Sequence, residues 1–113
     1  MTDCIFCRIA EGVLPSKKVY EDDRMLAFWD LNPKCPVHVL LIPKAHVDSL
    51  AAVGEGHTAD IAHIFAKLPA IADSLGLGGQ FRVVSNCGES AGQTVKHLHF
   101  HLLGGREMGL DLG

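Results

Sequence analysis

Alternation of polar and apolar residues is sharpest near the C-terminal end of the chain, in the run His97-Leu98-His99-Phe100-His101-Leu102-Leu103. A period of two residues predicts a β-strand with one buried face and one face turned toward a site. Such a strand places its three imidazoles on one side. Neighbouring histidines then lie about 6.6 Å apart and the outer two about 13 Å apart, so that one metal ion cannot bind all three. We therefore expect the middle histidine to have a role different from that of its neighbours.

Four further segments share the composition of strands: Lys18 to Glu21, Met25 to Leu31, Val37 to Ile42 and Phe81 to Asn86. The polar pair Asp22-Asp23 between the first two predicts a hairpin. The third segment is apolar except at His38, which is typical of a central strand. The histidine run then follows as the fifth strand of the sheet.

A period of three to four residues predicts a long helix from Thr58 to Leu75, stopped by Gly76. Its apolar positions are Ile61, Ile64, Phe65, Leu68, Ile71, Ala72 and Leu75. Pro69 removes one backbone hydrogen bond and crowds the preceding turn, so we expect a kink or a break there. His57 and His63 have no partner motif and are expected on a solvated face of the helix.

A short helix is expected over Cys4 to Ala10, with Asp3 as its N-cap and Gly12 as its stop. Five strands, one long helix and one short helix predict an α+β fold with a mainly antiparallel sheet. At 113 residues, and with no repeat or linker, the chain is expected to form a single domain over residues 1–113.

Composition restricts the partners of this domain. The net charge of −3 and the pI near 6.1 give no electrostatic surface for duplex nucleic acid. No apolar run is long enough to cross a bilayer, and the first residues do not have the pattern of a signal peptide. We therefore expect a cytoplasmic protein in a reducing compartment, in which the four cysteines are not paired in disulfides.

The spacing Cys4-x-x-Cys7 suggests half of a metal site or a redox pair. A tetrahedral zinc site needs two further ligands, for which His46 and His97 are the candidates. Cys35 and Cys87 are alternative ligands, but they lack paired spacing. The simpler alternative is that the first two cysteines are small core residues of a helix.

His99 is the candidate nucleophile toward phosphorus, because an imidazole whose other nitrogen donates to a carbonyl is held in the reactive tautomer. His101 is expected to donate to the phosphoryl oxygens, and His38 is expected to face His99 if their strands pair. The loop before the fifth strand offers Gly92 for close approach of the backbone, the amides of Gln93 and Thr94 as phosphate donors, and the Thr94 hydroxyl for the leaving group. At the end of the second strand, Asp30 is a candidate to accept the hydroxyls of a ribose, or alternatively a solvated turn residue.

These residues match a family. The run His97 to Leu103 has the histidine triad pattern H-φ-H-φ-H-φ-φ, where φ is apolar, and the chain resembles the histidine triad nucleotide-binding proteins of the histidine triad (HIT) family, in particular their bacterial zinc-binding type. The resemblance covers nearly the whole chain. It extends to Cys4-Ile5-Phe6-Cys7-Arg8-Ile9, Glu21-Asp22-Asp23, His38 to His46, Gly92-Gln93-Thr94-Val95 and Gly104-Gly105-Arg106.

The resemblance implies a hydrolase that cleaves purine nucleoside 5′-phosphoramidates or acyl adenylates. In such an enzyme His99 attacks the α-phosphorus, and water then releases AMP from the nucleotidyl-histidine. The implied base pocket consists of Ile5, Phe6, Ile9, Phe28 and Leu31, with Asp30 on the ribose. The implied contacts to phosphate or leaving group come from Asn86, Gln93, Thr94 and His101, with His38 supporting the triad.

The family further implies a homodimer in which two five-stranded sheets join into one of ten strands. A structural zinc ion is implied on Cys4, Cys7, His46 and His97. The ending Gly104-Gly105-Arg106 favours the phosphoramidase branch, whereas Gly92-Gln93-Thr94-Val95-Lys96 resembles the branch that cleaves diadenosine polyphosphates. The alternatives are therefore a dinucleoside polyphosphate hydrolase or phosphorylase, and a non-catalytic protein that binds nucleotide or acts through its zinc.

Overall fold

The computed structural model describes residues 4–111 and has the predicted α+β architecture. In chain order the helices and strands are α1 (Ile5–Ala10), β1 (Lys18–Glu21), β2 (Met25–Trp29), β3 (Val37–Pro43), α2 (Thr58–Ser74), β4 (Phe81–Val84) and β5 (Phe100–Gly104). Single turns of 3₁₀ helix lie at Leu50–Ala52 and Glu89–Ala91. No helix within residues 4–111 is long and apolar enough to span a membrane.

The five strands form one sheet in the order β1-β2-β3-β5-β4, and every neighbouring pair is antiparallel. β3 is therefore central, as its apolar sequence predicts. It pairs with β5 so that Leu40 lies opposite His101 and His38 lies opposite Leu103. This pairing brings His38 and His101, which are far apart in the sequence, onto one face of the sheet.

Each face of the sheet is covered by a separate apolar cluster. The larger cluster lies under α2 and includes Leu98, Phe100 and Leu102, the apolar members of the histidine run. The smaller cluster lies beside α1 and consists of Phe6, Leu26, Phe28, Leu40 and Ile42. The predicted alternation is thus confirmed in the burial of the run, because its apolar side chains pack under the long helix.

The histidine strand is shorter than its sequence period predicts. β5 begins only at Phe100, and His97 and His99 lie in the irregular segment before it. There the backbone N–H of Leu98 donates to the carbonyl of Val47 at 2.7 Å, and that of His97 donates to Val95 at 2.9 Å. These bonds, one to the loop after β3 and one within the same segment, replace the sheet ladder, so the prediction of a strand that begins at His97 was wrong at its start.

α2 runs without a break through Pro69, so of the two expected outcomes the break is wrong, and a kink stays a prediction. The predicted solvated face is wrong for His63, whose side chain is 21% exposed, whereas the hydrogen bond of His57 lies at an exposed position. His63 Nε2 lies 2.7 Å from Asp22 Oδ2, and His57 Nδ1 accepts from the N–H of Gly54 at 2.9 Å. The helix therefore contacts the hairpin of β1 and β2 through a polar pair that has no sequence motif.

The short helix begins at Ile5, and its cap is the thiol of Cys4, which accepts from the backbone N–H of Cys7 at 3.3 Å. The predicted cap, Asp3, lies outside the described residues. Helix α1 has Cys7 and Phe6 among its buried residues. One short helix thus contributes both to the apolar cluster of the sheet and to a cluster of cysteine and histidine.

Candidate functional site

The candidate nucleophile His99 has a buried side chain that is only 6% exposed. Its Nδ1 lies 2.7 Å from the carbonyl oxygen of His97, and this contact assigns the ring proton to Nδ1. The ring packs edge-on against Phe6 at a centroid distance of 5.0 Å and against His101 at 5.1 Å. A neutral imidazole held in this way has an unprotonated Nε2, the atom that a nucleophilic histidine uses.

His38 contacts His101 rather than His99, so the predicted facing pair was wrong. β3 does pair with β5, which was the condition for that prediction, but the register places His38 Nε2 at 2.8 Å from His101 Nδ1. The N–H of Lys34 donates to His38 Nδ1 at 3.0 Å, which assigns the His38 proton to Nε2 and makes it the donor to His101. His101 is then left with its own proton on Nε2, as a donor.

Burial keeps this histidine pair neutral. It lowers the pKa of His38, with nearby Asp30 opposing the shift and Lys34 adding to it. Burial, followed by the neighbouring His99 and His38, lowers the pKa of His101 to about 4. At neutral pH the pair therefore acts through oriented N–H dipoles rather than through full positive charges.

A cleft of about 230 Å³ opens beside these rings. It brings together nine of the residues singled out from the sequence, namely Ile5, Phe6, Ile9, Phe28, Asp30, Leu31, Thr94, His99 and His101. The sequence did not identify a further set of lining residues: Pro15, Ser16, Lys17, Trp29, Leu40 and Val95. Leu40 and Trp29 lie on predicted strands beside identified residues, whereas the positions of Pro15, Ser16 and Lys17 depend on the order of the strands.

A second, larger groove of about 1190 Å³ adjoins the cleft and shares Asp30, Thr94 and His101 with it. Asn86 and His38 line this groove rather than the cleft. Its cationic residues are Lys34, Arg82 and Arg106. Thr94 lines both cavities, which fits the expectation that it lies near a leaving group.

Gln93 does not have the expected role of a phosphate donor. Its side chain is buried, donates to the carbonyls of Asp48 and Val95 at 2.7 and 3.0 Å, and accepts from the N–H of Gly88 at 2.8 Å. Its backbone N–H donates to the Gly88 carbonyl at 3.0 Å. All of these groups form hydrogen bonds that hold the loop in place, so Gln93 has a structural role. The prediction that its amide donates to a phosphate was wrong.

Gly92 has a conformational reason for being glycine. Its φ of +97° lies in the left-handed region, and an added Cβ would lie 3.7 Å from the Asn86 amide nitrogen. Its backbone N–H donates to the Glu89 carbonyl at 3.0 Å. The residue shapes the turn that leads to Thr94, while direct contact with substrate stays a prediction for Gly92, Asn86 and Thr94.

The four predicted metal ligands come together in the structure. One ligand atom from each lies within 4.8 Å of all the others in the set Cys4, Cys7, His46 and His97. The two histidine Nδ1 atoms lie 3.2 Å apart, and the distances from His97 Nδ1 to the Cys4 and Cys7 sulfurs are 3.3 and 3.5 Å. A tetrahedral zinc ion separates two nitrogen ligands by about 3.3 Å, and a nitrogen from a sulfur by about 3.6 Å. The donor set and its spacing fit such an ion.

The outer hydrogen bonds of the cluster also fit a metal. His97 Nε2 lies 2.8 Å from the carbonyl of Pro43, and His46 Nε2 lies 2.6 Å from Asp48 Oδ1, so each ring donates outward and presents Nδ1 inward. Two acceptor nitrogens at 3.2 Å require a proton or a cation between them. Burial, against the opposing effect of the Pro43 carbonyl, lowers the pKa of His97 to about 4. Burial and the hydrogen bond with Cys4 raise the pKa of Cys7 to about 11.

A second group, Asp30, His38 and His101, has a different geometry. Its histidine nitrogens lie 2.8 Å apart, which is a hydrogen-bond distance and shorter than the separation of about 3.3 Å between two nitrogens on one zinc ion. Asp30 Oδ2 lies 3.4 Å from His38 Nε2, and Asp30 Oδ1 accepts from the N–H of Asn32 at 2.7 Å. This group is therefore a hydrogen-bonded histidine pair with a carboxylate beside it.

Comparison with known proteins identifies the family. The HIT domain model matches residues 11–108. Protein HitA of Neisseria gonorrhoeae is 45% identical over 104 residues, which are 92% of this chain and 97% of that protein. An uncharacterised HIT-like protein of Synechocystis is 50% identical over 104 residues, which cover 92% of this chain and 91% of the relative.

Solved structures agree with this result. A histidine triad protein from Clostridium difficile superposes with a TM-score of 0.91 at 49% identity and covers 96% of each chain. A HIT family hydrolase from Clostridium thermocellum gives a TM-score of 0.94 at 42% identity, covering 99% of this chain and 98% of that one. The resemblance found in the histidine run is thus confirmed, and the chain belongs to the HIT domain family.

Proposed function

We propose that this protein is a nucleotide-binding hydrolase that cleaves purine nucleoside 5′-phosphoramidates or acyl adenylates and releases AMP through a covalent nucleotidyl-His99 intermediate. The observation that carries the proposal is the 2.7 Å contact between His99 Nδ1 and the His97 carbonyl, in a ring that lines a cleft. Two relatives of known structure are described as HIT family hydrolases, which agrees with hydrolysis.

The cleft supports a nucleoside ligand. Its apolar lining from α1 and β2 offers Phe6 and Phe28, whose rings meet edge to face at 5.6 Å, as a surface for a flat base. Asp30 lines the same cleft directly after β2, with its Oδ2 3.4 Å from His38 Nε2, and we assign this oxygen as the acceptor of the ribose hydroxyls. A base, a ribose and a phosphate then lie in order from β2 toward β5.

In the first step His99 Nε2 attacks the α-phosphorus, and the bond from phosphorus to the amine or acyl oxygen breaks as the new P–N bond forms. His101 Nε2–H donates to the phosphoryl oxygens, where negative charge develops, and its orientation is held by the donor His38. A leaving amine takes a proton from solvent, and the water of the second step returns one to solvent, whereas an acyl group leaves as a carboxylate and needs none. In the second step water attacks phosphorus, AMP is released and His99 is regenerated, so that the sum is one water consumed per bond cleaved.

We further propose a structural zinc ion on Cys4, Cys7, His46 and His97. When bound, such an ion supplies a cross-link between three segments: α1, the loop after β3 and the segment before β5. The backbone of one ligand, His97, provides the carbonyl that orients His99. The role of these residues is therefore to hold the nucleophile in place.

The second candidate function, cleavage of dinucleoside polyphosphates, is favoured by the adjoining groove. Lys34, Arg82 and Arg106 line it next to His101, and cations at this position suit the further phosphates of such a substrate. Comparing product release from adenosine phosphoramidate and from diadenosine tetraphosphate distinguishes the two. A higher kcat/KM for the phosphoramidate supports the first assignment, and the reverse supports the second.

A homodimer forms part of the proposal. Within the described residues β4 pairs with β5 along one edge only, and a sheet edge of this kind can join a second copy into ten strands. Phe65 of α2 is 42% exposed and contacts Phe100 of β5 at 5.1 Å between ring centroids, which gives an apolar surface near that edge. The cytoplasm is the proposed location because all four cysteines are free thiols.

The test of the proposal is rapid quenching of the reaction with adenosine phosphoramidate, followed by intact-mass measurement. We expect a transient species heavier by one adenylyl group, which peptide mapping places on His99. The control is the same measurement on His57→Ala, a histidine that caps α2 and does not line the cleft. Turnover without any adduct, or an adduct on another residue, contradicts the mechanism.

A further inference from the structure

We propose that the hydroxyl of Ser16 forms a hydrogen bond with the polar edge of the purine base and is a determinant of base recognition. The inference rests on the proposed function, because it assigns the far end of the cleft to the base. Ser16 lies in the segment before β1, lines the cleft and was not identified from the sequence. It supplies a polar group in a part of the cleft that is otherwise mainly apolar.

The Ser16 hydroxyl has an unmet need for a partner. Among the buried side-chain nitrogen and oxygen atoms of residues 4–111, its Oγ is the one that has no hydrogen-bond partner. A buried hydroxyl without a partner costs free energy, and native proteins satisfy nearly all such groups. The hydroxyl is shielded in the ligand-free chain, but Ser16 lines the cleft, so rotation of its side chain about the Cα–Cβ bond can bring the hydroxyl to a ligand that enters there.

The order of the strands places Ser16 at the end of the cleft away from the reaction. The Trp29 N–H donates to the Lys17 carbonyl at 3.0 Å, so the Ser16 segment continues the edge of the sheet beside β2. Three strand spacings, or about 14 Å, separate the β1 edge from β5. With phosphorus at His99 and the ribose at Asp30, the part of a nucleotide that extends toward β1 is the base.

The chemistry of a hydroxyl fits the edge of either common purine. Serine both donates and accepts, so it can accept from the amino group of adenine or donate to the carbonyl oxygen of guanine. The apolar lining residues Pro15, Phe28 and Ile9 offer no side-chain hydrogen bond to the base, and the Lys17 ammonium, which also belongs to the lining, lies over the Trp29 ring at 5.8 Å. The ligand class is therefore a purine nucleoside 5′-phosphate that carries a hydrogen-bonding group on the ring edge facing β1.

The experiment measures binding of AMP and of ribose 5-phosphate by calorimetry to the wild-type protein and to Ser16→Ala. We expect the variant to bind AMP about fivefold more weakly and ribose 5-phosphate equally well, because only AMP carries the base. Thermal unfolding of the free variant should occur at the same temperature as the wild type or higher, since an unpaired buried hydroxyl has been removed. Ser74→Ala is the matched control, because that hydroxyl already donates to the Ile71 carbonyl at 2.7 Å, away from the cleft.

Equal AMP affinity in Ser16→Ala and wild type overturns the inference, as does an equal loss for both ligands, which indicates a general distortion. A lower unfolding temperature of the free variant overturns it as well, because the hydroxyl then has a structural partner. Failure of the proposed function gives a different result: wild-type protein that binds AMP in a manner dependent on Ser16 but forms no adduct on His99. Wild-type protein that binds no AMP overturns both.

Discussion

The Nδ1 of His99 lies 2.7 Å from the carbonyl oxygen of His97, whose own ring belongs to the cysteine and histidine cluster. The proposed nucleophile is therefore oriented by the backbone of a residue whose side chain is held elsewhere. Movement of His97 displaces the acceptor that fixes the tautomer of His99. Changes at the cluster should consequently lower both metal content and turnover, whereas changes confined to the cleft should lower turnover alone.

Removal of the proposed nucleophile is the most direct change. His99→Gly should abolish formation of AMP while retaining AMP binding, because the apolar lining of the cleft comes mainly from α1 and β2. Turnover and calorimetric binding are measured on the same preparation. Turnover at the wild-type rate in this variant contradicts the assignment, whereas His57→Ala should retain both properties.

Metal content tests the cluster. Protein purified without chelator should contain about one zinc per chain, and the pair Cys4→Ala, Cys7→Ala should lose it, together with a lower free energy of unfolding. Elemental analysis and urea unfolding are the measurements. The matched pair Cys35→Ala, Cys87→Ala lies outside the cluster and should keep the metal. Retention of zinc by the first pair refutes the ligand set.

The polar contact between the β1–β2 hairpin and α2 should make stability depend on pH. The pKa of Asp22 lies well below its usual range. Burial raises this pKa, but hydrogen bonds from His63, Tyr20 and the N–H groups of Arg24 and Met25 lower it by more. A depressed carboxyl pKa stabilises the fold above the unfolded value of about 4, and this contribution is lost as the pH falls below it.

Asp22→Asn should therefore lower the free energy of unfolding by about 1–3 kcal/mol at pH 7. The difference from wild type should narrow at pH 3, where the wild-type carboxylate begins to lose its advantage. Urea unfolding at both pH values gives the comparison. Asp23→Asn, at the exposed neighbouring position, is the control and should change stability little at either pH. A constant difference at the two pH values argues against the carboxylate as the cause.

Pro69 is expected to lower the free energy of unfolding without making a contact that the fold needs. It lies inside α2 at an exposed position, where it cannot donate the backbone hydrogen bond of the helix. Pro69→Ala should raise the free energy of unfolding by about 1–3 kcal/mol. The control is Pro33→Ala in the loop between β2 and β3, which should not stabilise the protein, since proline suits that turn. A loss of stability in Pro69→Ala shows instead that the ring makes a needed contact.

Much of the fold follows from local periodicity. The central position of β3, the long helix and the burial of Leu98 and Phe100 were predicted because hydrophobic spacing reports which face is covered. Ligand chemistry and the family resemblance predict a metal site on Cys4, Cys7, His46 and His97. The structure brings the ligand atoms of these residues together. The errors lie where a contact joins distant segments, as in the pairing of His63 with Asp22 and of His38 with His101.

The sequence by itself determined which residues carry chemistry and which faces are buried, because residue type and spacing are local properties of the chain. Only the tertiary structure decided the register of β3 against β5, the use of Gln93 as a loop brace and the position of Ser16 in the cleft. These depend on strand order and on hydrogen bonds between segments far apart in the chain. Their partners are chosen by the packing of both sheet faces at once, which no local pattern encodes.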